Sequence, residues 1–115
     1  MKKIFNRTPK EVYQRWIKAL RSGKYKQLDG QLHDGGAYFC CLGVLCDLAR
    51  KDGGPDWDYS GYMGESINIP KDIRKFVRLT NKQESKLITM NDDGESFRQI
   101  ADYIETKILP KKKFG

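Results

Sequence analysis

Phe39-Cys40-Cys41-Leu42-Gly43-Val44-Leu45-Cys46-Asp47-Leu48-Ala49 is the stretch on which the fold turns. From Cys41 to Ala49 it is apolar on nearly every side, too much so for a surface helix, and it reads as the central buried helix. Gly43 costs about 1 kcal/mol of helix propensity against Ala, so its presence predicts a close backbone approach by a neighbour. The helix is expected to stop near Gly53-Gly54.

Immediately upstream, residues 25–40 read as a short hairpin. Leu28, Leu32, Tyr38 and Phe39 are its strand-like apolar positions, and Asp34-Gly35-Gly36 supplies a turn that needs positive φ. A lone two-stranded hairpin is marginal in water, so this one must pack on helices. Further upstream, Thr8-Pro9-Lys10-Glu11 combines a capping box with proline at the first helical position. Val12, Trp16, Ala19 and Leu20 follow at helical spacing, widened by Tyr13 and Ile17, and Gly23 is the expected left-handed stop.

Downstream lies a loop over residues 53–69 with Trp57, Tyr59, Tyr62 and Met63 among its glycines. Long loops in small domains often carry function, although Trp57 and Tyr62 can equally fold back over the core. Pro70 opens a short helix carrying Ile73, Phe76 and Val77. Thr80-Asn81-Lys82-Gln83 and Ser96-Phe97-Arg98-Gln99 are two more capping boxes, and Pro110 ends the last helix, expected over 97–109. The predicted fold class is α+β: a small single domain with four to five helices around a short β-hairpin. Its expected organisation is a flexible basic N-terminus (1–7), a globular domain (8–109) and a basic tail (110–115).

The 115 residues suit one domain, and 38% hydrophobic content argues for a folded chain. No apolar run approaches the roughly 18 residues of a membrane span, and Met1 to Arg7 lead into no long apolar region, so no membrane partner and no secretory leader are expected. Three cysteines, two of them adjacent, do not resemble a disulfide framework, which points to a reducing cytoplasm. The net charge of +7 is uneven: residues 1–26 carry nine Lys/Arg against one Glu, whereas residues 27–69 carry two against seven acidic groups. Such polarity attracts phosphates or an acidic partner, or simply keeps the protein dissolved.

Cys40, Cys41, Cys46 and His33 form the one soft-ligand cluster, but their C-C-x₄-C spacing fits zinc poorly, and no metal or cofactor is expected. Cys41 at a helix N-terminus with His33 as base is a possible thiol nucleophile lacking an orienting group. Asp92, Asp93 and Glu95 lack calcium-loop spacing, and Asp56 and Asp58 read as solvated loop carboxylates. A helix-turn-helix over residues 81–109 lacks a recognition helix, and its last helix would present Asp102 and Glu105 to phosphate beside Arg98 and Gln99.

Three segments carry a resemblance: Trp16 to Gln27, Phe39 to Leu48, and Met90 to Phe97 with Ile100 to Glu105. Together they resemble a group of small, functionally uncharacterised proteins encoded by bacteriophages and prophages, most specifically through Cys-Cys-Leu-Gly-Val. The resemblance implies a phage origin and a host cytoplasmic location, and transfers no catalytic residue. Small accessory phage proteins commonly act by binding. The expectation is therefore a non-catalytic binder that interferes with a host defence or host process by engaging a host protein or sequestering a phosphate-bearing small molecule. Two surfaces are candidates: the basic face Lys10, Arg15, Lys18, Arg21, Lys24 and Lys26, and the loop residues Trp57, Tyr59 and Tyr62. A nucleic-acid module using the basic helix, with non-specific contacts through that helix and the C-terminal lysines Lys111, Lys112 and Lys113, is the first alternative. A Cys41/His33 enzyme is the second.

Overall fold

The structure is a computed structural model, and it describes residues 4–114. Helix α1 spans Pro9–Arg21, strand β1 Lys26–Gln27, strand β2 Tyr38–Phe39, and helix α2 Cys41–Lys51. Helices α3 (Lys71–Val77), α4 (Asn81–Asp92) and α5 (Phe97–Tyr103) follow, and the chain leaves α5 through a π turn (Ile104–Ile108) and a 3₁₀ turn (Leu109–Lys111).

All three expected capping boxes form. Thr8 Oγ1 accepts from Glu11 N at 3.2 Å while Glu11 Oε1 accepts from Thr8 N at 2.9 Å, and Thr80/Gln83 and Ser96/Gln99 repeat the pattern. The apolar stripe of α1 is inside: Val12, Tyr13, Trp16, Ile17 and Leu20 are buried, and Gly23 follows the helix end at φ +77°. Trp16 and Tyr13 also satisfy their polar tips, Trp16 Nε1 donating to Cys41 O at 2.9 Å and Tyr13 Oη to Val77 O at 2.7 Å.

Helix α2 is the central element. Every residue from Cys41 to Ala49 is buried, with α1 on one side and α4 on another. A Cβ on Gly43 would stand 1.9 Å from the carbonyl oxygen of Leu32, so the close approach predicted for this glycine is real and comes from the chain at residue 32. The N-terminus of α2 is held from outside the helix. Buried Asn91 accepts from Cys41 N at 3.1 Å and from Gln27 Nε2 at 3.1 Å, and donates to Leu28 O at 2.7 Å. One side chain thus ties α4, α2 and the β1 end together.

The sheet differs from the expected hairpin. β1 and β2 pair in parallel, Lys26 with Tyr38 and Gln27 with Phe39. The chain bends back near Gly30 (φ +82°) and again at Gly35 (φ +87°), and two reversals restore the original direction. The Asp34-Gly35-Gly36 turn does reverse the chain, but its antiparallel pair is His33 with Phe39, a single bridge. The last helix also differs. Expected over 97–109, it is α-helical only to Tyr103 and then widens, with Leu109 N donating to Ile104 O. Pro110, which has no N–H and would crowd the carbonyl four residues back, sits where the regular ladder has been abandoned.

Both chain ends carry packing beyond the expected boundaries at residues 8 and 109. Phe5 is buried with its ring 5.0 Å from that of Phe76, and Asn6 Nδ2 donates to Asp52 O at 2.8 Å. Phe114 lies 5.9 Å from Tyr13 and beneath Arg78, and Lys112 Nζ donates to Gln83 Oε1 at 2.8 Å. Residues 1–3 and 115 of the expected flexible ends lie outside the described residues. No helix among the described residues is long and apolar enough to cross a membrane.

Candidate functional site

The loop over residues 53–69 is organised from below by Asp47 of α2. Its carboxylate, buried in the helix, accepts from Tyr25 Oη at 2.7 Å, Arg50 Nε at 2.8 Å and Trp57 Nε1 at 3.1 Å. Burial alone would push this carboxyl up. The bonds from Arg50, Tyr25 and Trp57 and the Arg50 charge together outweigh burial and hold it below the usual carboxylate range. Trp57 is thereby fixed in orientation and only half-buried.

From Trp57 a run of rings extends across the loop. His33 lies 4.5 Å from Trp57 and is stacked on Phe39 at 3.9 Å, and Tyr62 lies 5.1 Å from Trp57 on the core side. His33 is held in this stack by its own turn, Nε2 donating to Gly36 O at 2.8 Å. Beside the rings is a cleft of about 460 Å³, walled by residues 31–35 and by 57–61 with Ser66. Tyr59 stands fully exposed at its edge.

Two carboxylates face this cleft. Asp34 Oδ1 accepts from Gly36 N at 2.7 Å, and Asp58 Oδ1 accepts from Ser60 N at 2.8 Å and from Ser60 Oγ at 2.5 Å. The Ser60 hydroxyl and amide hold the Asp58 carboxyl below its usual range, so it is ionised at neutral pH. In each, Oδ2 has no hydrogen-bond partner among the described residues. No lysine or arginine lines the cleft among the described residues. It is therefore an aromatic, anionic recess, suited to a basic group rather than to phosphate.

The sequence candidates separate accordingly. Trp57 and Tyr59 line the cleft, while Tyr62 is fully buried beneath it. Its hydroxyl has no hydrogen-bond partner among the described residues, and Gly54 leaves room for it: a Cβ there would sit 2.7 Å from Tyr62 Oη. The basic face of α1 is partly spent inside the molecule. Arg15 Nη1 pairs with Asp52 Oδ1 at 2.8 Å, and Arg21 Nη2 reaches Asp102 at 2.6 Å and Glu105 at 3.0 Å. Lys10, Lys18 and Lys24 remain exposed, and Lys26 holds its ammonium 5.6 Å over the Tyr38 ring. None of these six lines the aromatic cleft, so rings and cations are not assembled into one nucleotide pocket.

All three thiols are buried. Cys41 and Cys46 are fully buried, which pushes both well above the usual thiol range, and the Cys41 S–H points to Leu87 O at 3.6 Å. Cys40 caps α2, accepting from Gly43 N at 3.4 Å, and burial pushes it up to about 11. Cys41 and His33 are engaged separately, Cys41 with Leu87 O and His33 with Gly36 O and the Phe39 ring. Among the described residues, no three His, Cys, Asp or Glu side chains converge as a metal-ligand set.

Asp34, His33 and Asp58 as cleft walls were missed in the sequence. Their Asx-type turns were legible as Asp-Gly-Gly and Asp-Tyr-Ser-Gly, but nothing local said that the two turns meet. Among known proteins, a family model described as a domain of unknown function, DUF8296, matches residues 8–76, well over half of the chain and all of the cleft. No curated protein and no solved structure matches the chain.

Proposed function

The chain belongs to the DUF8296 family of unknown function, and from that premise we propose that it is a non-catalytic binding protein that engages a partner protein through the cleft between residues 31–35 and 57–61. The observation that carries the proposal is the combination at that cleft. Fully exposed Tyr59 and half-buried Trp57 and His33 stand beside the carboxylates of Asp34 and Asp58, with no lysine or arginine among the described lining residues. Exposed rigid aromatics give contact area at low entropic cost, and carboxylates beside rings favour a lysine or arginine side chain of the partner. The resemblance to small phage proteins supports the wider role: interference with a host defence or host process by occupying a host protein. Nucleotide sequestration has less support, because a phosphate in this cleft would face Asp34 and Asp58. Nucleic acid on α1 has less support too, because Arg15 and Arg21 are already paired with carboxylates.

The test is capture from bacterial lysate with three forms of the protein: wild type, Tyr59→Ala, and Lys10→Glu/Lys18→Glu. A host protein enriched by wild type and by the lysine variant but lost with Tyr59→Ala is the expected result. A nucleotide released from the denatured wild-type complex, or a partner lost only with the lysine variant, refutes the assignment.

A further inference from the structure

A second group of exposed cations lies on elements other than α1 and the cleft loop, and it includes the C-terminal lysines that the sequence offers for non-specific phosphate contact. Helices α3 and α4 and the segment after α5 carry Arg78, Lys82, Lys86, Lys107, Lys111 and Lys113, all exposed. Tertiary contacts draw them together. Lys112 Nζ donates to Gln83 Oε1 and to the Arg78 carbonyl, and Arg78 Nη1 donates to Lys113 O at 2.7 Å, which docks the C-terminal segment beside the start of α4. Lys86 lies 5.9 Å over the ring of Tyr103, and Arg78 5.2 Å over that of Phe114.

The carboxylates of the same elements are engaged elsewhere. Glu84 is buried, accepting from Arg74 Nε at 2.9 Å and Ile69 N at 2.8 Å, and Asp102 and Glu105 are paired with Arg21. Asp92 and Asp93 sit at the far end of α4, about 15 Å along the axis from Lys82 at 1.5 Å per residue, beyond a Debye length at physiological salt. Asp72, at the first turn of α3, is the one exposed acid of that helix. The fold even sets cation beside cation: burial and the Arg78 charge together push the Lys112 ammonium below its usual range.

We propose that this face, formed by α3, α4 and the docked C-terminal segment, is a contact surface for the phosphate backbone of a nucleic acid, independent of the aromatic cleft. Nucleic acid is favoured over an acidic protein. Protein interfaces rely on buried apolar anchors, whereas this face offers charge with two half-buried rings lying under cations. Affinity from clustered Lys and Arg needs nothing further.

Fluorescence anisotropy with a labelled 20-nucleotide single strand, between 20 and 300 mM NaCl, tests it. With about five phosphates neutralised, log K is expected to fall against log salt with a slope of about −3.5. Two triple variants change the net charge equally: Lys82→Glu/Lys86→Glu/Lys111→Glu on this face, and Lys10→Glu/Lys18→Glu/Lys24→Glu on and just after α1. The first is expected to lose at least tenfold in affinity at 20 mM salt and the second less than threefold, with both shown to be folded by circular dichroism. Equal losses would mean that only net charge matters, and no binding by wild type at 20 mM salt would mean that no such surface exists. Poly-glutamate binding as tightly as the strand would assign the face to acidic protein. Each of these three results overturns the proposal. Tyr59→Ala is expected to bind the strand as wild type does, which separates this surface from the cleft.

Discussion

Replacing Gly43 by alanine tests whether helix propensity or tertiary packing governs the centre of the molecule. In an isolated helix the change gains about 1 kcal/mol. Here the added methyl would stand 1.9 Å from Leu32 O and 2.8 Å from Leu32 C, both backbone atoms that cannot rotate away. The chain at residue 32 must retreat, and it is pinned: Cys40 N donates to Leu32 O at 3.0 Å and Leu32 N to Ser66 O at 2.7 Å. Overpacking of this kind costs about 1–3 kcal/mol, and disrupting a buried backbone bond adds about 1–3 kcal/mol. Set against the propensity gain, the net expectation is a loss of about 1–5 kcal/mol. For a domain of this size that lowers Tm by roughly 4–20 °C. Thermal and urea unfolding followed by circular dichroism measure it directly. Leu32 and Ser66 also line the aromatic cleft, so a variant that remains folded should bind its partner more weakly. A Gly43→Ala protein as stable as wild type, or more so, would refute the packing reasoning.

Asn91→Ala removes the acceptor for Cys41 N and Gln27 Nε2 and the donor to Leu28 O, and is expected to lower the urea unfolding free energy by about 2–4 kcal/mol, more than Asn81→Ala at the exposed start of α4. Asp47 has a folded-state pKa below its unfolded value, so its contribution to stability is present above the unfolded carboxylate pKa and is lost as pH falls through the folded one. Asp47→Asn should therefore be less stable at pH 7 and should lose less stability than wild type between pH 5 and pH 2, and an unchanged acid limb would contradict the network. All three thiols are expected to react with a disulfide reagent no faster than the protein unfolds, and rapid labelling of one thiol in the native protein would restore the nucleophile reading of Cys41. Tyr59→Ala should leave the urea midpoint unchanged within about 0.5 kcal/mol, because the side chain is fully exposed.

The family of the chain reaches only to residue 76, within α3, whereas Asn91, which completes the N-terminus of α2, lies beyond it on α4. The segments around Cys41 and around Asn91 are in direct hydrogen-bonded contact. The buried amide end of α2 needs an acceptor, and Asn91 is it.

What could be read from sequence was whatever neighbouring residues settle among themselves. The capping boxes at Thr8, Thr80 and Ser96, the inward stripe of α1, the left-handed Gly23 and the buried run of α2 rest on interactions three or four residues apart or on apolar periodicity. Even the close approach at Gly43 was legible, because a glycine inside an apolar helix has a cost that only packing offsets. The direction of the β1–β2 pair was not, since it depends on how many times the chain reverses between residues 27 and 38. Nor was the fate of the charges. Arg15, Arg21 and Arg74 look alike as free cations along the chain, but Asp52, Asp102, Glu105 and Glu84 meet them from 10 to 84 residues away. The meeting of Asp34 with Asp58 around Trp57 and the exposure of Tyr59 with the burial of Tyr62 were decided in the same way. Backbone propensity acts over one helical turn, whereas charge pairing and cleft formation depend on which distant segments the core brings together.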